Sequence, residues 1–226
     1  AVEAAIVITT DGFGVLSVTN TGGTVTIDDI IGVNGNGLES ISIASGANLT
    51  QKLGATAGTF NVVGNVDNGS GDTGGTLVVN GGDASGTTAG GAVTAMAIEG
   101  AGTNQLTTLT IQAGDGGTSG VGGAVTLSTI TGAVTATNYN LVAGAGGAAL
   151  DGGTSAVGGA IVQHLQTGAV TSAVTMTAGA GGAGEANDTS DVGGAGGAIG
   201  STSNTFAGLV TGTVTLTGGA GGVGGA

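Results

Sequence analysis

Residues 113–127, AGDGGTSGVGGAVTL, decide the fold of this chain, because they contain the unit that its second half repeats. A glycine-rich block is followed by a second glycine pair, then by Ala and an alternating Val/Thr stretch. Similar blocks begin at residues 80, 143, 178 and 218, so the unit returns every 30 to 40 residues. Periods of this length predict stacked units of structure, each too small to bury its apolar face alone.

Composition restricts how such units can form a core. The 226 residues include 54 glycines, no proline, no cysteine, no tryptophan, three phenylalanines and one tyrosine. The apolar residues are mostly Ala and Val, so the predicted core is thin and built from small side chains. Disorder is the competing interpretation of a Gly/Ser/Thr-rich chain. The hydrophobic residues, 39% of the chain, are arranged in alternating runs, and this pattern favours an ordered protein.

Alternating runs predict strands nearly throughout the chain. Residues 24–27, 40–43, 93–98, 125–127 and 214–216 alternate apolar residues with Thr, Ser or Ala. A period of two places the apolar residues on one face and the hydroxyls on the other. No window of ten residues carries an amphipathic helical stripe, so helix is predicted to be nearly absent. Glycine is expected to supply positive φ at turns and close backbone approach between stacked units.

These patterns predict an all-β fold, an elongated parallel β-solenoid (β-helix) with glycine-rich turns. The alternative is a β-sandwich subunit with strand donation. Composition changes near residue 75, which divides the chain into an N-terminal β region, 1–75, continuous with the solenoid, and glycine-rich β repeats, 76–226.

Charge excludes several classes of partner. Fourteen acidic residues face Lys52 alone, giving a net charge of −13. Nucleic acid and anionic membrane surfaces need Lys or Arg, so neither is an expected partner. No apolar run reaches the roughly 18–20 residues that span a bilayer, so no membrane insertion is predicted. Residues 1–10 lack the basic start of a signal peptide and are interpreted as a mature N-terminus, which fits a protein outside the cell.

No residue is predicted to be catalytic or to bind an organic cofactor. His164 is the single histidine and is interpreted as a half-exposed structural residue, since a lone histidine cannot build a His-rich metal site. Asp83, Asp115 and Asp151 each fall between the two glycine signals of a unit, as plain solvated turns. A weak Ca²⁺ site is the alternative there, and its first candidates are Glu185, Asp188 and Asp191.

Two segments are predicted to mediate assembly. The last unit stops where its Val/Thr strand should follow, and a stack ending there exposes an edge that another chain can pair with. The N-terminal strand of a second subunit is the proposed cover, unless the sequence is a piece of a longer protein. The predicted assembly residues are Ala4, Ala5, Ile6, Val7, Ile8, Gly224, Gly225 and Ala226.

Exposed rows of Thr and Ser have two interpretations. They are the polar faces of strands in the simpler one, which we favour. In the other, a threonine ladder presents a flat, regular surface for ice or carbohydrate.

Two stretches carry a resemblance to known proteins. Residues 34–50, NGNGLESISIASGANLT, and 58–66, GTFNVVGNV, resemble passenger regions of bacterial autotransporter-type surface proteins. The Gly-Gly-Ala-Val-Thr units also resemble glycine-rich segments of phage fibre proteins. The first resemblance implies a right-handed β-solenoid outside the cell, and many members of that family act as adhesins.

The sequence therefore predicts a non-enzymatic, extracellular structural protein that assembles head-to-tail with itself into a surface fibre or layer. The alternatives are an adhesin passenger that binds carbohydrate or a host surface, and a phage fibre protein. A polysaccharide-degrading enzyme would need clustered carboxylates with basic partners, and the chain has one basic side chain besides its histidine.

Overall fold

The computed structural model describes residues 14–20, 22–27, 31, 38–52, 58–62, 66–67, 74–150, 154–185 and 191–225. All regular structure among these residues is β-strand, which confirms the prediction that helix is absent from the described part. No described helix is long and apolar enough to cross a membrane.

The strands follow the alternating runs of the sequence. They are β1 (Val15–Val18), β2 (Thr24–Ile27), β3 (Ser40–Ile43), β4 (Asn48–Lys52), β5 (Gly58–Val62), β6 (Val66–Asp67), β7 (Gly74–Asn80), β8 (Val93–Ile98), β9 (Thr103–Gln112), β10 (Ser128–Ile130), β11 (Ala133–Val142), β12 (Ile161–Gln166), β13 (Val170–Thr177), β14 (Ile199–Phe206) and β15 (Val214–Thr217).

The described strands form three parallel sheets. The seven-stranded sheet has the order β15-β13-β11-β9-β7-β4-β2, the five-stranded sheet the order β14-β12-β10-β8-β5, and the three-stranded sheet the order β1-β3-β6. From β7 onward, successive strands alternate between the two larger sheets. Each strand therefore pairs with the one that lies two places further along the chain.

The core lies where the apolar faces of the sheets are buried. One column of the seven-stranded sheet runs Leu49, Leu77, Leu109, Tyr139 and Val174, each opposite the next in register, and all five are buried. Strict alternation along each strand produces this column, because every second side chain points to the same face.

Hydrogen bonds of the Asn104 side chain connect the three-stranded sheet to this core. Its side chain is fully buried, its carbonyl oxygen accepts the N–H of Val66 at 2.8 Å, and its amide donates to the carbonyl of Ala133 at 3.2 Å. One polar side chain on β9 therefore joins β6 to the start of β11.

The glycine blocks form extended segments that are neither strands nor turns. Leading segments follow strands of the seven-stranded sheet, and trailing segments lead into the five-stranded sheet. The leading segments are 81–84, 113–117, 143–147, 178–182 and 218–222, and the trailing segments are 90–92, 120–124, 156–160 and 194–198. Only five described glycines have positive φ: Gly14, Gly46, Gly82, Gly86 and Gly200.

Backbone hydrogen bonds join the two kinds of segment into one continuous ladder. Its bonds, 2.8 to 3.0 Å long, run from Gly91 to Gly82, Gly114 to Gly91, Gly123 to Gly114, Gly144 to Gly123, Gly159 to Gly144, Gly179 to Gly159, Gly197 to Gly179 and Gly219 to Gly197, the N–H donating in each. Each new segment therefore bonds to the segment that came before it in the chain. We call the whole assembly the glycine layer.

The direction of these bonds repeats every three residues. Gly114 and Gly117 donate backward along the chain, to Gly91 and Thr88. Ala113, Gly116 and Ser119 donate forward, to Val142, Ala145 and Ala148, in or directly beside the next leading segment. A period of three is that of the polyproline II helix, which makes no hydrogen bonds within itself and has all its backbone groups available for neighbours.

Close packing explains the glycine content of the layer. A Cβ at Gly144 would overlap the carbonyl oxygen of Gly114, and a Cβ at Gly179 would overlap that of Gly144. As at the axis of collagen, only glycine fits where backbones approach this closely.

The predicted parallel β-solenoid with glycine-rich turns is therefore wrong. The strands lie in three open parallel sheets, none of which closes into a barrel. Purely parallel sheets are usually covered by helices, but here all regular structure of the described residues is β-strand. The glycine blocks are not turns, because they lie extended and form backbone hydrogen bonds with one another along their length. The β-sandwich alternative is wrong too, since every strand pairing within these sheets is parallel.

The division into segments 1–75 and 76–226 stays a prediction. The seven-stranded sheet draws strands from both sides of that boundary.

Candidate functional site

Only part of the predicted calcium cluster lies within the described residues. Glu185 donates its backbone N–H to a carboxylate oxygen of Asp191 at 3.4 Å, so these two acidic residues are neighbours. Asp188 lies outside the described residues. No group of three or more metal-binding side chains occurs in the part of the chain that the structure describes. Two carboxylates supply fewer than the roughly six to eight oxygens that Ca²⁺ takes, so calcium binding stays a prediction.

Asp83 and Asp115 have a local structural role. The carboxylate of Asp83 accepts the backbone N–H of Asp115 at 2.9 Å, and the carboxylate of Asp115 accepts that of Ala145 at 2.7 Å. Each aspartate therefore ties its own leading segment to the next one. Asp151 lies outside the described residues.

Of the predicted assembly residues, only Gly224 and Gly225 lie within the described part of the chain. Ala4, Ala5, Ile6, Val7 and Ile8 lie outside the described residues, as does Ala226. Gly225 donates its N–H to the carbonyl of Asp191 at 2.9 Å, so it extends the glycine layer. Gly224 lies beside the same carbonyl.

The two larger sheets end side by side in an apolar groove. The edge strands are β15 and β14, and an open cavity of about 320 Å³ lies between them. Val214 is 44% exposed and Leu216 is 61% exposed, whereas their register partners Val174 and Met176 on β13 are buried. The groove is lined by Met176, Ile199, Gly200, Asn204, Phe206, Val214 and Leu216. We call it the terminal groove.

Asn204, which lines the groove, carries a hydrogen-bond acceptor without a partner. The side-chain amide of Asn204 donates to the carbonyl of Ile161 at 3.3 Å, but its buried side-chain oxygen has no partner. An unpaired buried acceptor costs free energy.

The glycine layer is open at the same end. At Gly221 an added Cβ would meet only a carbonyl oxygen at 3.8 Å. The equivalent glycines within the layer, Gly146 and Gly181, are packed against trailing segments. The last leading segment therefore has one uncovered side.

A buried polar network crosses the core beside this groove. Ser128 and His164 are register partners in the five-stranded sheet, and the Ser128 hydroxyl lies 2.7 Å from Nδ1 of His164. The Tyr139 hydroxyl, on the seven-stranded sheet, lies 2.8 Å from Nε2. Phe206 packs beside both rings, with its centroid 5.4 Å from that of His164.

Burial sets the protonation of this network. It lowers the pKa of the His164 imidazole to about 3 and raises the pKa of the Tyr139 phenol well above its usual range. The imidazole is therefore neutral at physiological pH, so one ring nitrogen donates and the other accepts. Hydroxyls can do either, so both tautomers satisfy the network.

A serine hydrogen-bonded to a histidine invites comparison with a nucleophile and its base. Here Ser128, Tyr139 and His164 are all completely buried. The two hydroxyls occupy both ring nitrogens, which leaves neither for the carboxylate that orients a catalytic histidine. The network links the two larger sheets through three buried side chains.

The sequence pattern predicted neither the burial of His164 nor its contacts with Ser128 and Tyr139. Predicted to be half-exposed, the histidine is buried. Alternation alone left its facing undecided, and only the register of β10, β11 and β12 brings three residues so far apart in the chain together.

No family model, curated protein or solved structure matches this chain. The resemblance to autotransporter-type and phage fibre proteins thus stays a prediction that rests on the sequence alone.

Proposed function

We propose that this chain is a non-enzymatic structural protein that assembles end to end with copies of itself into an extracellular fibre or layer. The observation that carries the proposal is the terminal groove, where the core between two parallel sheets is uncovered beside their edge strands.

Edge strands are the natural pairing sites of a sheet. An unpaired edge presents a row of N–H and C=O groups to another chain. At β15 this edge also carries the exposed side chains of Val214 and Leu216. Fully burying one such side chain contributes roughly 1.5–3 kcal/mol, so covering the groove would stabilise a contact between subunits.

A contact between two unlike ends extends without closing. The opposite edge of the seven-stranded sheet is β2, and the edge of the three-stranded sheet is β1, where Val15 is 55% exposed. Because the two ends differ, joining them is heterologous, and such contacts generate filaments unless the rotation closes a ring. In the proposal, residues 4–8 of the incoming subunit contribute the strand that covers the groove.

The proposal also includes the extracellular location and the non-enzymatic role of the protein. The chain carries 14 acidic residues against one lysine, which keeps a surface polymer soluble. Its histidine is buried away from any substrate, which favours a structural role over an enzymatic one.

The test compares assembly with the groove intact and blocked. Purified wild-type protein and the Leu216→Lys variant are examined by analytical ultracentrifugation over a concentration series and by negative-stain electron microscopy. Leu150→Lys is the matched control, since Leu150 is also an exposed leucine but lies in a loop between glycine segments. We expect filaments from the wild type and the control, and monomers from Leu216→Lys. A wild type that stays monomeric at high concentration would refute end-to-end assembly.

A further inference from the structure

The outer face of the seven-stranded sheet carries side chains in straight columns. One column crosses all seven strands in register, without a break. Its members are Thr26, Thr50, Val78, Thr110, Asn140, Thr175 and Thr215.

A second column runs beside the first, two residues earlier on each strand. Its members are Thr24, Asn48, Thr76, Thr108, Asn138 and Ala173. We call the two columns together the threonine face.

The spacing of this face is fixed by the backbone. Neighbouring strands lie about 4.7–4.9 Å apart, and residues two apart on one strand are separated by about 6.6 Å. The face is therefore a two-dimensional lattice of hydroxyl, amide and methyl groups. The residues between the columns, such as Leu77 and Leu109, are buried in the core and hold the lattice in place.

Eleven of the thirteen members of the threonine face carry a hydroxyl or an amide group, and Val78 and Ala173 are the two exceptions. Neither column contains a charged or aromatic residue, although the chain carries 14 acidic side chains. Charged groups would order water around themselves, and aromatic rings would offer a stacking platform for sugars. A neutral lattice of small donors, acceptors and methyl groups does neither.

We propose that the threonine face binds ice. Ice presents oxygen atoms in a regular array with repeat distances in the same range as those of the face. Threonine and asparagine side chains can hydrogen-bond waters at lattice positions, while the methyl groups fill the spaces between them. Each contact is weak, but a rigid face pays little ordering entropy when many contacts form together.

The five-stranded sheet provides an internal comparison. Its corresponding outer column contains Ala97, Thr129, Leu165 and Thr205, in register with one another. Two of these four side chains are aliphatic, against two of the thirteen on the threonine face, so the hydroxyl groups are too sparse for a regular array and we expect this sheet not to bind ice.

The test measures thermal hysteresis and the shape of single ice crystals grown in the protein solution. The Thr110→Lys/Thr175→Lys variant disrupts the threonine face, and the Thr129→Lys/Thr205→Lys variant places the same charges on the other sheet. Thr110→Val keeps the shape of the side chain and removes one hydroxyl. Circular dichroism and thermal melting establish that each variant is folded.

We expect faceted crystals and measurable hysteresis from the wild type and the Thr129→Lys/Thr205→Lys control. The Thr110→Lys/Thr175→Lys variant should lose the activity, and Thr110→Val should keep part of it. Unfaceted ice without hysteresis in the wild type would overturn the proposal. Equal activity of the two double variants would do so as well, and so would retention on insoluble chitin or cellulose without any effect on ice.

Discussion

The strand sheets and the glycine layer are held together in opposite ways. In the sheets, buried side chains such as Leu109 and Ile111 fill the core, and backbone bonds run between strands. In the glycine layer the buried side chains are small alanines, and at the ladder glycines the backbones lie so close that a Cβ does not fit. The comparison shows that one chain can continue its stacking order through a region with few and small buried side chains, provided that its backbone N–H groups find carbonyls in neighbouring segments.

The largest expected effect comes from adding one methyl group to the glycine layer. A Cβ at Gly144 would meet the backbone of Gly114, which cannot move without breaking the ladder on both sides. We expect Gly144→Ala to lower the free energy of unfolding by more than about 3 kcal/mol, or to prevent folding. Urea denaturation followed by circular dichroism measures this.

Gly218→Ala is the matched control, because a Cβ there meets nothing within 4 Å. We expect nearly wild-type stability for this variant. Similar losses for Gly144→Ala and Gly218→Ala would mean that glycine content, not close packing, is responsible.

Removing side-chain volume from a sheet should have the next largest effect. Leu109 is completely buried between β7 and β11. We expect Leu109→Ala to cost about 2–5 kcal/mol in the same denaturation experiment, since it leaves a cavity. Leu127→Ala, at a leucine that is 40% exposed, should cost clearly less.

Leu109→Ala tests the strand pattern, which the sequence predicted, and Gly144→Ala tests the extended glycine segments, which it did not. Alternation identified the strands and the inward positions of residues such as Ile41 and Ile43, because a period of two follows directly from strand geometry. Glycine was expected to supply both turns and close backbone approach between stacked units. The close approach is confirmed, but the glycine blocks are extended segments and not turns. Whether a glycine block forms a turn or a close approach depends on partner segments about 30 residues away. The burial of His164 likewise depends on the register of strands that are distant in the chain.

Acid should destabilise the network that joins the sheets. The folded-state pKa of His164, about 3, lies below the ordinary value of 6.5, so the unfolded chain binds a proton that the folded chain does not. Stability from this residue is complete above pH 6.5 and falls as the pH decreases from 6.5 toward 3. The loss is about 1.4 kcal/mol for each pH unit, or roughly 2 kcal/mol at pH 5.

NMR measures the protonation state of His164 directly, because the imidazole Cε1 and Cδ2 chemical shifts report the charge of the ring. We expect them to remain those of a neutral ring down to pH 5 while the protein is folded. A titration midpoint near 6.5 in the folded protein would contradict the buried position of the ring.

Native-state hydrogen exchange tests the central claim, that backbone hydrogen bonds hold the glycine layer together as firmly as they hold the sheets. The amide protons of Gly144, Gly159 and Gly179 each donate within the ladder at 2.8 to 2.9 Å. We predict that, in dilute protein, they exchange as slowly as the amides of β9 and β11. Exchange of these three amides at the rate of an unstructured peptide, while the strands stay protected, would contradict the account.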